Sequence, residues 1–449
     1  MVLLLGTGPL PLYTHDRLYA FGVRTWHFAR CLLDEDIPTV LVTFEFGRKG
    51  SEVLSINSSD IPERLKHVAL PEPDGTNLEF LVEQIKQLIA QYQPTCMVTA
   101  GSNLPAQIAV RCGSEIPLWV DLFGDMMTEV QAKLAFAPAS EMDFFLRLYH
   151  SLLFRGDRFS TVSEAQKDAV IGQLSMTGRL TGATRDCDLI HVIPVSFDDR
   201  TPPPVVREPL LRGRRTPENA FIILWSGGFN TWADIPTLFT GLECAMSANS
   251  DIHFAASGGS ITGHHEAGFR QFLDLVQTSK HKERFHILGW LPNEAVAGLY
   301  AESDLGINVD LDIYEARLGS RCRIVNWMNA GLPCLTTRTT ELSKILEANQ
   351  IGFVFPPSSP EALSEAILHL ASNRQGIRDT GTRARVYAEE HFAFGRTIRP
   401  LLEWVSNPVV APDRVQESHS PLMRSLHDLL TNASAPQAPR TSFWKWLRR

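Results

Sequence analysis

Short apolar runs alternate with longer amphipathic segments along almost the whole chain, a pattern that predicts parallel strands covered by helices on both faces. In the first half the runs place buried strands at Val2–Leu5, Thr39–Phe44, Cys96–Ala100, Leu118–Asp121, Phe159–Ser163 and Leu189–Ile193, with helices such as Thr25–Leu33 and Leu78–Gln91 between them. A Pro- and Arg-rich stretch, Arg200 through Pro217, breaks the alternation and reads as a linker. The alternation then restarts. Strands are expected at Phe221–Trp225, Ile252–Ala256, Phe285–Leu288, Leu305–Val309, Cys334–Thr336 and Phe353–Phe355. Helices are expected at Pro236–Met246, Gly268–Gln277, Glu361–Ala371, Ile377–His391 and Arg396–Val405. From about Ser406 the pattern fades, apart from a short amphipathic helix at Pro421–Leu430.

The expected architecture is α/β, with two similar doubly wound, Rossmann-like domains. Residues 1–199 form the first, 200–218 the linker and 219–392 the second, followed by a C-terminal helix at 393–406 and a tail at 407–449. Composition changes this picture little. Hydrophobic residues make up 44% and charged residues 20% of the 449, ordinary values for a globular protein. The net charge of −8 gives no bulk attraction to nucleic acid. Seven scattered cysteines with no C-x-x-C pair argue against a disulfide framework or a zinc knuckle and fit a reducing compartment. Val2–Leu5 is too short for a signal peptide or a membrane span, so a cytoplasmic protein is expected. The terminal Phe443-Trp444-Lys445-Trp446-Leu447-Arg448-Arg449 mixes aromatic rings with three positive charges, the composition of segments that contact a membrane surface; a helix docked on the protein's own surface has the same composition.

In open parallel sheets, ligands bind beyond the carboxyl ends of strands, where backbone amides and helix N-termini attract anions. Three stretches fit. Ser226-Gly227-Gly228 follows the first strand of the second domain, and two glycines let a phosphate approach the backbone; Gly258-Gly259 repeats the device one strand on. Asp310 through Arg323 follows the strand Leu305–Val309 and carries Glu315, Arg317, Ser320, Arg321 and Arg323 ahead of a helix, so arginines there suit a diphosphate and Glu315 suits sugar hydroxyls. Gly331-Leu332-Pro333 ends that helix as a C-cap turn. In the first domain, Asp121 and Asp125 follow a strand and suit an acceptor or sugar contact, or a loop cap. His27, between Trp26 and Phe28, reads as a packing residue, and His264-His265 as a solvated loop. Gly6-Thr7-Gly8-Pro9 begins a dinucleotide fingerprint but Pro11 breaks it, which makes a nicotinamide-dependent oxidoreductase a more distant rival.

Taken in order, Glu315-Ala316-Arg317, Arg321-Cys322-Arg323 and Ala330-Gly331-Leu332-Pro333 resemble the retaining family 4 glycosyltransferases of the GT-B fold, and among them a bacterial subgroup reading E-T-R, R-T-R and A-G-L-P. Leu288-Gly289-Trp290-Leu291-Pro292 and Ala301-Glu302-Ser303-Asp304 are similar to the segment leading into that family's donor site, and Gly22-Val23-Arg24-Thr25 to its N-terminal half. The resemblance implies a GT-B protein whose two domains face each other across a cleft. It implies metal-independent, retaining transfer of a sugar, of hexosyltransferase type, from a nucleoside diphosphate sugar to a glycan or lipid-linked acceptor, with no cofactor. It makes Glu315 and Arg321 the catalytic pair. Gly22, Arg24, Ser226, Gly227, Gly228, Arg317, Ser320, Arg323 and Asn326 become donor-binding residues. Two departures stand out: Asn326 replaces an acidic ribose ligand, and Asn230-Thr231-Trp232-Ala233-Asp234 replaces an Arg and a Lys after the first glycine turn. They leave a second reading, a catalytically weak nucleotide-sugar-binding accessory protein of the same fold.

Overall fold

A computed structural model describes residues 1–12, 19–54, 62–63, 65–74, 76–136, 138–199, 208–261, 266–415 and 421–432. The His264-His265 loop, the start of the Pro- and Arg-rich stretch, and the Phe443–Arg449 segment fall outside them.

The chain forms two compact units, Met1–Pro194 with the residues from Thr397, and Val195–Arg396. The first contains β1 (Val2–Gly8), α1 (Ala20–Asp34), β2 (Thr39–Glu45), β3 (Lys66–Pro71), α2 (Leu78–Tyr92), β4 (Cys96–Thr99) and α3 (Asn103–Arg111). It continues with β5 (Leu118–Asp121), α4 (Met126–Lys133), α5 (Ser140–Arg155), β6 (Arg158–Thr161), α6 (Glu164–Met176) and β7 (Ile190–Val192). Its strands run parallel in the order β3-β2-β1-β4-β5-β6-β7.

The second unit contains β8 (Phe221–Ser226), α7 (Ile235–Ala248), β9 (Ile252–Ser257), α8 (Glu266–Thr278), β10 (Phe285–Gly289), α9 (Asn293–Glu302), β11 (Leu305–Asn308), α10 (Tyr314–Leu318) and α11 (Cys322–Ala330). After these come β12 (Cys334–Thr337), α12 (Glu341–Ala348), β13 (Phe353–Phe355), α13 (Pro360–Ser372), α14 (Arg374–His391) and α15 (Phe394–Thr397). Its parallel order is β10-β9-β8-β11-β12-β13. Both sheets are doubly wound, and in each the order reverses beside the first strand, between β1 and β4 and between β8 and β11.

Local sequence explains the helix boundaries. Ser102, Asp125, Ser163, Asp234, Thr340 and Ser359 each accept a hydrogen bond from a first-turn N–H of the helix that follows. Gly331 closes α11 in the left-handed conformation (φ 71°). Strands β8 and β9 bury every residue, and Phe221, Ile223, Trp225, Phe254, Phe272 and Leu363 pack into one core with α7, α8 and α13.

Three segments differ from the sequence expectation. Strand β3 has no counterpart in it, because this edge strand opens on Lys66-His67 and buries only its last three residues. The later part of the supposed linker is not a free spacer. The Glu302 carboxylate accepts from the backbone N–H groups of Leu210, Leu211 and Arg212 at 2.7 to 2.9 Å, and Arg212 donates to Glu302, Glu218, Ala220 and Asp304. The expected helix Arg396–Val405 breaks at Ile398, where Pro400 enters the first turn of α16 (Arg399–Ser406).

The end of the described chain is built into the first unit. Trp404 of α16 packs on Trp119 of β5, with ring centroids 5.6 Å apart. In α17 (Pro412–Val415), the Asp413 carboxylate accepts from Arg179, and both side chains are fully buried. Arg179 also donates to the carbonyls of Leu153, Phe154 and Gly156. Asp157 accepts from the N–H of Ala411 and from the Arg414 guanidinium. Last, α18 (Pro421–Asn432) lies on α5, held by Arg147 donating to the Leu430 carbonyl at 2.8 Å and by His427 stacked on Phe154.

Asp413→Ala leaves Arg179 buried without its carboxylate, a loss of roughly 3–5 kcal/mol. Thermal unfolding should show one transition falling sharply, and an unchanged profile would mean that the α17 clamp carries no stability. A second expectation concerns pH. Burial lowers the pKa of His67, His150 and His286 to about 4, so the fold keeps them neutral while the unfolded chain protonates them near 6.5. Between those values the unfolded chain binds more protons, so this contribution is complete above pH 6.5 and is lost as pH falls towards 4. Burial also raises the carboxyls of Glu45 and Glu72, the latter to about 7, and these pull the other way. Three imidazoles outweigh two carboxyls, so the melting temperature should fall as pH drops from 6.5 to 4.5; a flat or rising profile would contradict the buried neutral state.

Candidate functional site

The point where the β8–β11 order reverses brings together the loops that the sequence singled out. After β8 the backbone turns at Gly227 (φ 92°), and after β9 at Gly258 (φ 100°). The turns interlock: Gly227 N–H donates to the Ser257 carbonyl at 2.9 Å and Phe229 N–H to that of Gly259 at 2.9 Å. A Cβ on Gly258 would lie 2.2 Å from the Gly227 carbonyl oxygen, so only glycine fits there. The next residues are zipped to the loop beyond β11, with Asp234 N–H donating to Val309 and Leu311 N–H to Trp232. This is what Asn230–Asp234 does in place of two cations: it joins the two loops, and Asp234 caps α7.

Beyond β11, three charges form one buried cluster. Arg321 grips Glu315 with both terminal nitrogens (Nη1 to Oε1 3.0 Å, Nη2 to Oε2 2.8 Å), and its Nε donates to Asp310 Oδ2 at 2.9 Å. Asp310 is fixed in turn by the Asn308 side-chain amide at 2.8 Å, and its N–H donates to Thr337 Oγ1. Burial alone would lower the Arg321 pKa, but Asp310 and Glu315 more than offset it and hold the guanidinium firmly charged. The Trp232 ring lies 5.2 Å from the Arg321 guanidinium carbon.

The other sequence-selected residues separate by environment. Arg317 is 54% exposed and pairs with Asp312 at 3.1 Å. Ser320 offers its carbonyl to Arg321. Arg323, on the first turn of α11, reaches back under the glycine turns, where Nη2 donates to the Gly228 carbonyl at 2.6 Å and the guanidinium lies 4.3 Å from the centre of the Trp225 ring. Its Nη1 is buried without an acceptor. Burial lowers its pKa to about 10, still charged at neutral pH. Ser226 accepts from Trp327 Nε1 at 3.0 Å. Asn326 is exposed, with no hydrogen bond to any of these groups, so the expected ribose ligand stands apart from the network.

In the first unit, Arg24 is buried and grips Asp121 through two bonds, of 2.8 and 3.1 Å, while a third joins Arg24 to the Pro194 carbonyl. Ser160 and the Gly101 N–H also donate to Asp121, which has no exposed surface. Asp125 caps α4 and accepts from Gln173 at 2.8 Å. Of the two roles that the sequence offered, Asp125 takes that of a cap, while Asp121 is buried and held by Arg24, Ser160 and the Gly101 N–H. Gly22 is required by packing, since a Cβ there would lie 2.0 Å from the Pro9 carbonyl oxygen. His27 is buried in α1, in line with its packing role.

Sequence reading missed three polar groups at the β8–β9 edge. Trp225 Nε1, Ser257 Oγ and Asn230 Oδ1 are buried with no hydrogen-bond partner among the described residues. Nothing in the sequence distinguishes them from ordinary core positions, because their significance lies in a missing partner. Tyr300 of α9 adds a hydroxyl bonded to Ser226, and burial raises its pKa.

Known proteins resemble this chain in one segment of sequence and over most of its fold. Residues 221–373, which span β8 to the end of α13, match the family model described as Glycosyl transferases group 1. No curated protein sequence matches the chain. Among solved structures, the chain is similar to sucrose-phosphate synthase from Thermosynechococcus elongatus (TM-score 0.67, 15% identity, covering 91% of this chain and 99% of that one). It is similar to Anabaena Alr3699/HepE in complex with UDP and glucose (TM-score 0.63, 15% identity, 90% and 99% covered) and to a glycosyltransferase from Rickettsia africae (TM-score 0.61, 15% identity, 91% and 99% covered). At these identities the likeness establishes the fold, which is GT-B with two Rossmann-like domains. Together with the family match it supports a GT-B glycosyltransferase.

The interlocked turns give a direct test. Gly258→Ala forces a Cβ against the Gly227 carbonyl in a left-handed conformation and should cost about 1–3 kcal/mol. Gly289→Ala, also at positive φ but with open space around it, should cost less. Equal melting temperatures for the two variants would show that the turns are not interlocked in solution.

Proposed function

We propose that the protein is a glycosyltransferase that takes a sugar from a nucleoside diphosphate sugar and passes it, with retention and without a metal ion, to a glycan or lipid-linked acceptor. One observation carries this reading: the interlocked Gly227 and Gly258 turns, Arg323 and the Glu315–Arg321 pair converge at the strand-order reversal of the very segment that matches the glycosyl transferases group 1 model. Neighbours of the same fold support a UDP-sugar class of donor, since HepE is in complex with UDP and glucose. The glycine turns offer backbone close to the leaving diphosphate, and arginine charge in a partly closed site stabilises the negative charge that develops on it.

Glu315 has a restricted role in this scheme. Both of its oxygens accept from Arg321, which fixes the carboxylate to orient a sugar hydroxyl. Arg321 is then a positioning residue. Gly22 and Arg24 stay proposed as donor-binding residues, as the resemblance implies. Arg24 would act through the loop that it braces, since its fork is held by Asp121.

The test is a panel of UDP-, GDP- and dTDP-sugars, with binding followed by calorimetry and slow donor hydrolysis by nucleotide release. Binding of at least one donor with measurable release is the expected result. Binding without turnover towards any acceptor would replace the enzyme by an accessory nucleotide-sugar-binding protein, and absence of binding across the panel would overturn both.

A further inference from the structure

Four positive or polar donors surround the β8 edge, and they are not equivalent. Arg321 has its three nitrogens committed to the carboxylates of Glu315 and Asp310, and Arg317 is exposed and paired with Asp312. Ser226 is held by Trp327. Arg323 alone among these arginines touches no carboxylate: its one bond is to the Gly228 carbonyl. Its guanidinium carbon lies over the Trp225 ring, 4.3 Å from the centroid.

Three further observations point to an anion there. Arg323 Nη1, Trp225 Nε1 and Ser257 Oγ are buried groups able to donate, and none has a partner; Trp225 and Ser257 are each only 1% exposed. Leaving such groups unmet is costly unless an acceptor arrives. Gly227 has no side chain to shield the cation, since a Cβ built there would lie 3.9 Å from Arg323 Nη2. No side chain caps the first turn of α11, from which Arg323 projects, so the positive end of that helix adds to the same field.

Resting on the donor-site reading above, we propose that Arg323 is the side chain that binds the diphosphate of the donor, with Ser257 Oγ as a second donor to the same group, while Arg321 does not touch it. The site thus supplies from α11 the positive charge that is missing from Asn230–Asp234. A diphosphate oxygen accepts from Nη1, and the buried guanidinium gains the counter-charge it lacks. The charge of Arg321 is cancelled by its own carboxylates and is unavailable for this purpose.

The experiment compares a nucleoside diphosphate with its free nucleoside, using the base that the wild-type protein selects from UDP, GDP and dTDP, all in EDTA. Arg323→Gln should weaken the diphosphate by about 10- to 100-fold, the range of a charge-assisted bond. It should leave the nucleoside unchanged and reduce the salt dependence of diphosphate binding. Ser257→Ala should weaken the diphosphate less, and Arg385→Gln, which breaks an exposed pair with Glu389 on α14, not at all. Arg323→Lys keeps the charge but loses the fork. It should retain the fold and show an intermediate loss, which keeps the test open if the Gln variant does not fold. An unchanged ratio of diphosphate to nucleoside affinity in both Arg323 variants would overturn the proposal while leaving the donor-site reading intact. Failure of the wild type to bind any nucleoside diphosphate would overturn both.

Discussion

A parallel sheet sends every strand's carboxyl end to the same edge, and where its strand order reverses, the two flanking loops diverge and leave backbone uncovered. Both sheets of this protein are constrained in this way, at β1/β4 and at β8/β11. Each reversal must be closed by something, and in each the closure is an arginine fork on a carboxylate: Arg24 on Asp121 in the first unit, Arg321 on Glu315 and Asp310 in the second. Buried forks of this kind have strict geometry and tolerate little rearrangement, so they fix the loops that bear the glycine turns.

The same constraint separates structural charge from functional charge. Once Glu315 and Asp310 hold Arg321, two carboxylates face one guanidinium, and the cluster has no positive charge to offer outward. Arg323, two residues on, is turned by the start of α11 towards the glycine turns and meets only a carbonyl and an aromatic face. Two arginines separated by one cysteine thus occupy opposite electrostatic situations. Their pKa values move in opposite directions for that reason, Arg321 up through its carboxylates and Arg323 down through burial.

Much of the fold was legible because parallel strands buried on both faces read as continuous apolar runs; β8, β9 and β11 are examples. Edge strand β3 was not, since its polar Lys66-His67 start breaks the run. Residues 208–218 and Ala411–Val415 read as spacers because their anchors are polar and distant in sequence: Glu302 for the first, Arg179 and Asp157 for the second. The candidate site shows the same limit. Glycines that need positive φ announce themselves by their type and their place after a strand, and Gly227 and Gly258 stand where the reading put them. Asp121 and Asp125 also stand after a strand, yet one is consumed by Arg24 and the other caps a helix.

That difference has a physical origin. A glycine's contribution is local, set by its own backbone angles, so a sequence can expose it. A charge acts through its partner, and at this edge partners come from up to a hundred residues away, as Arg24 and Asp121 do. Counting three arginines beyond β11 therefore overstates the positive field available to a ligand. Pairing leaves Arg323 as the one arginine of the three that meets no carboxylate, and it lies beside the Gly227 turn, where no side chain intervenes. An Arg and a Lys after the first glycine turn would place charge on the loop itself. Here that loop is occupied with zipping to Val309 and Leu311, and the cation enters from the helix instead, a different route to the same electrostatic requirement.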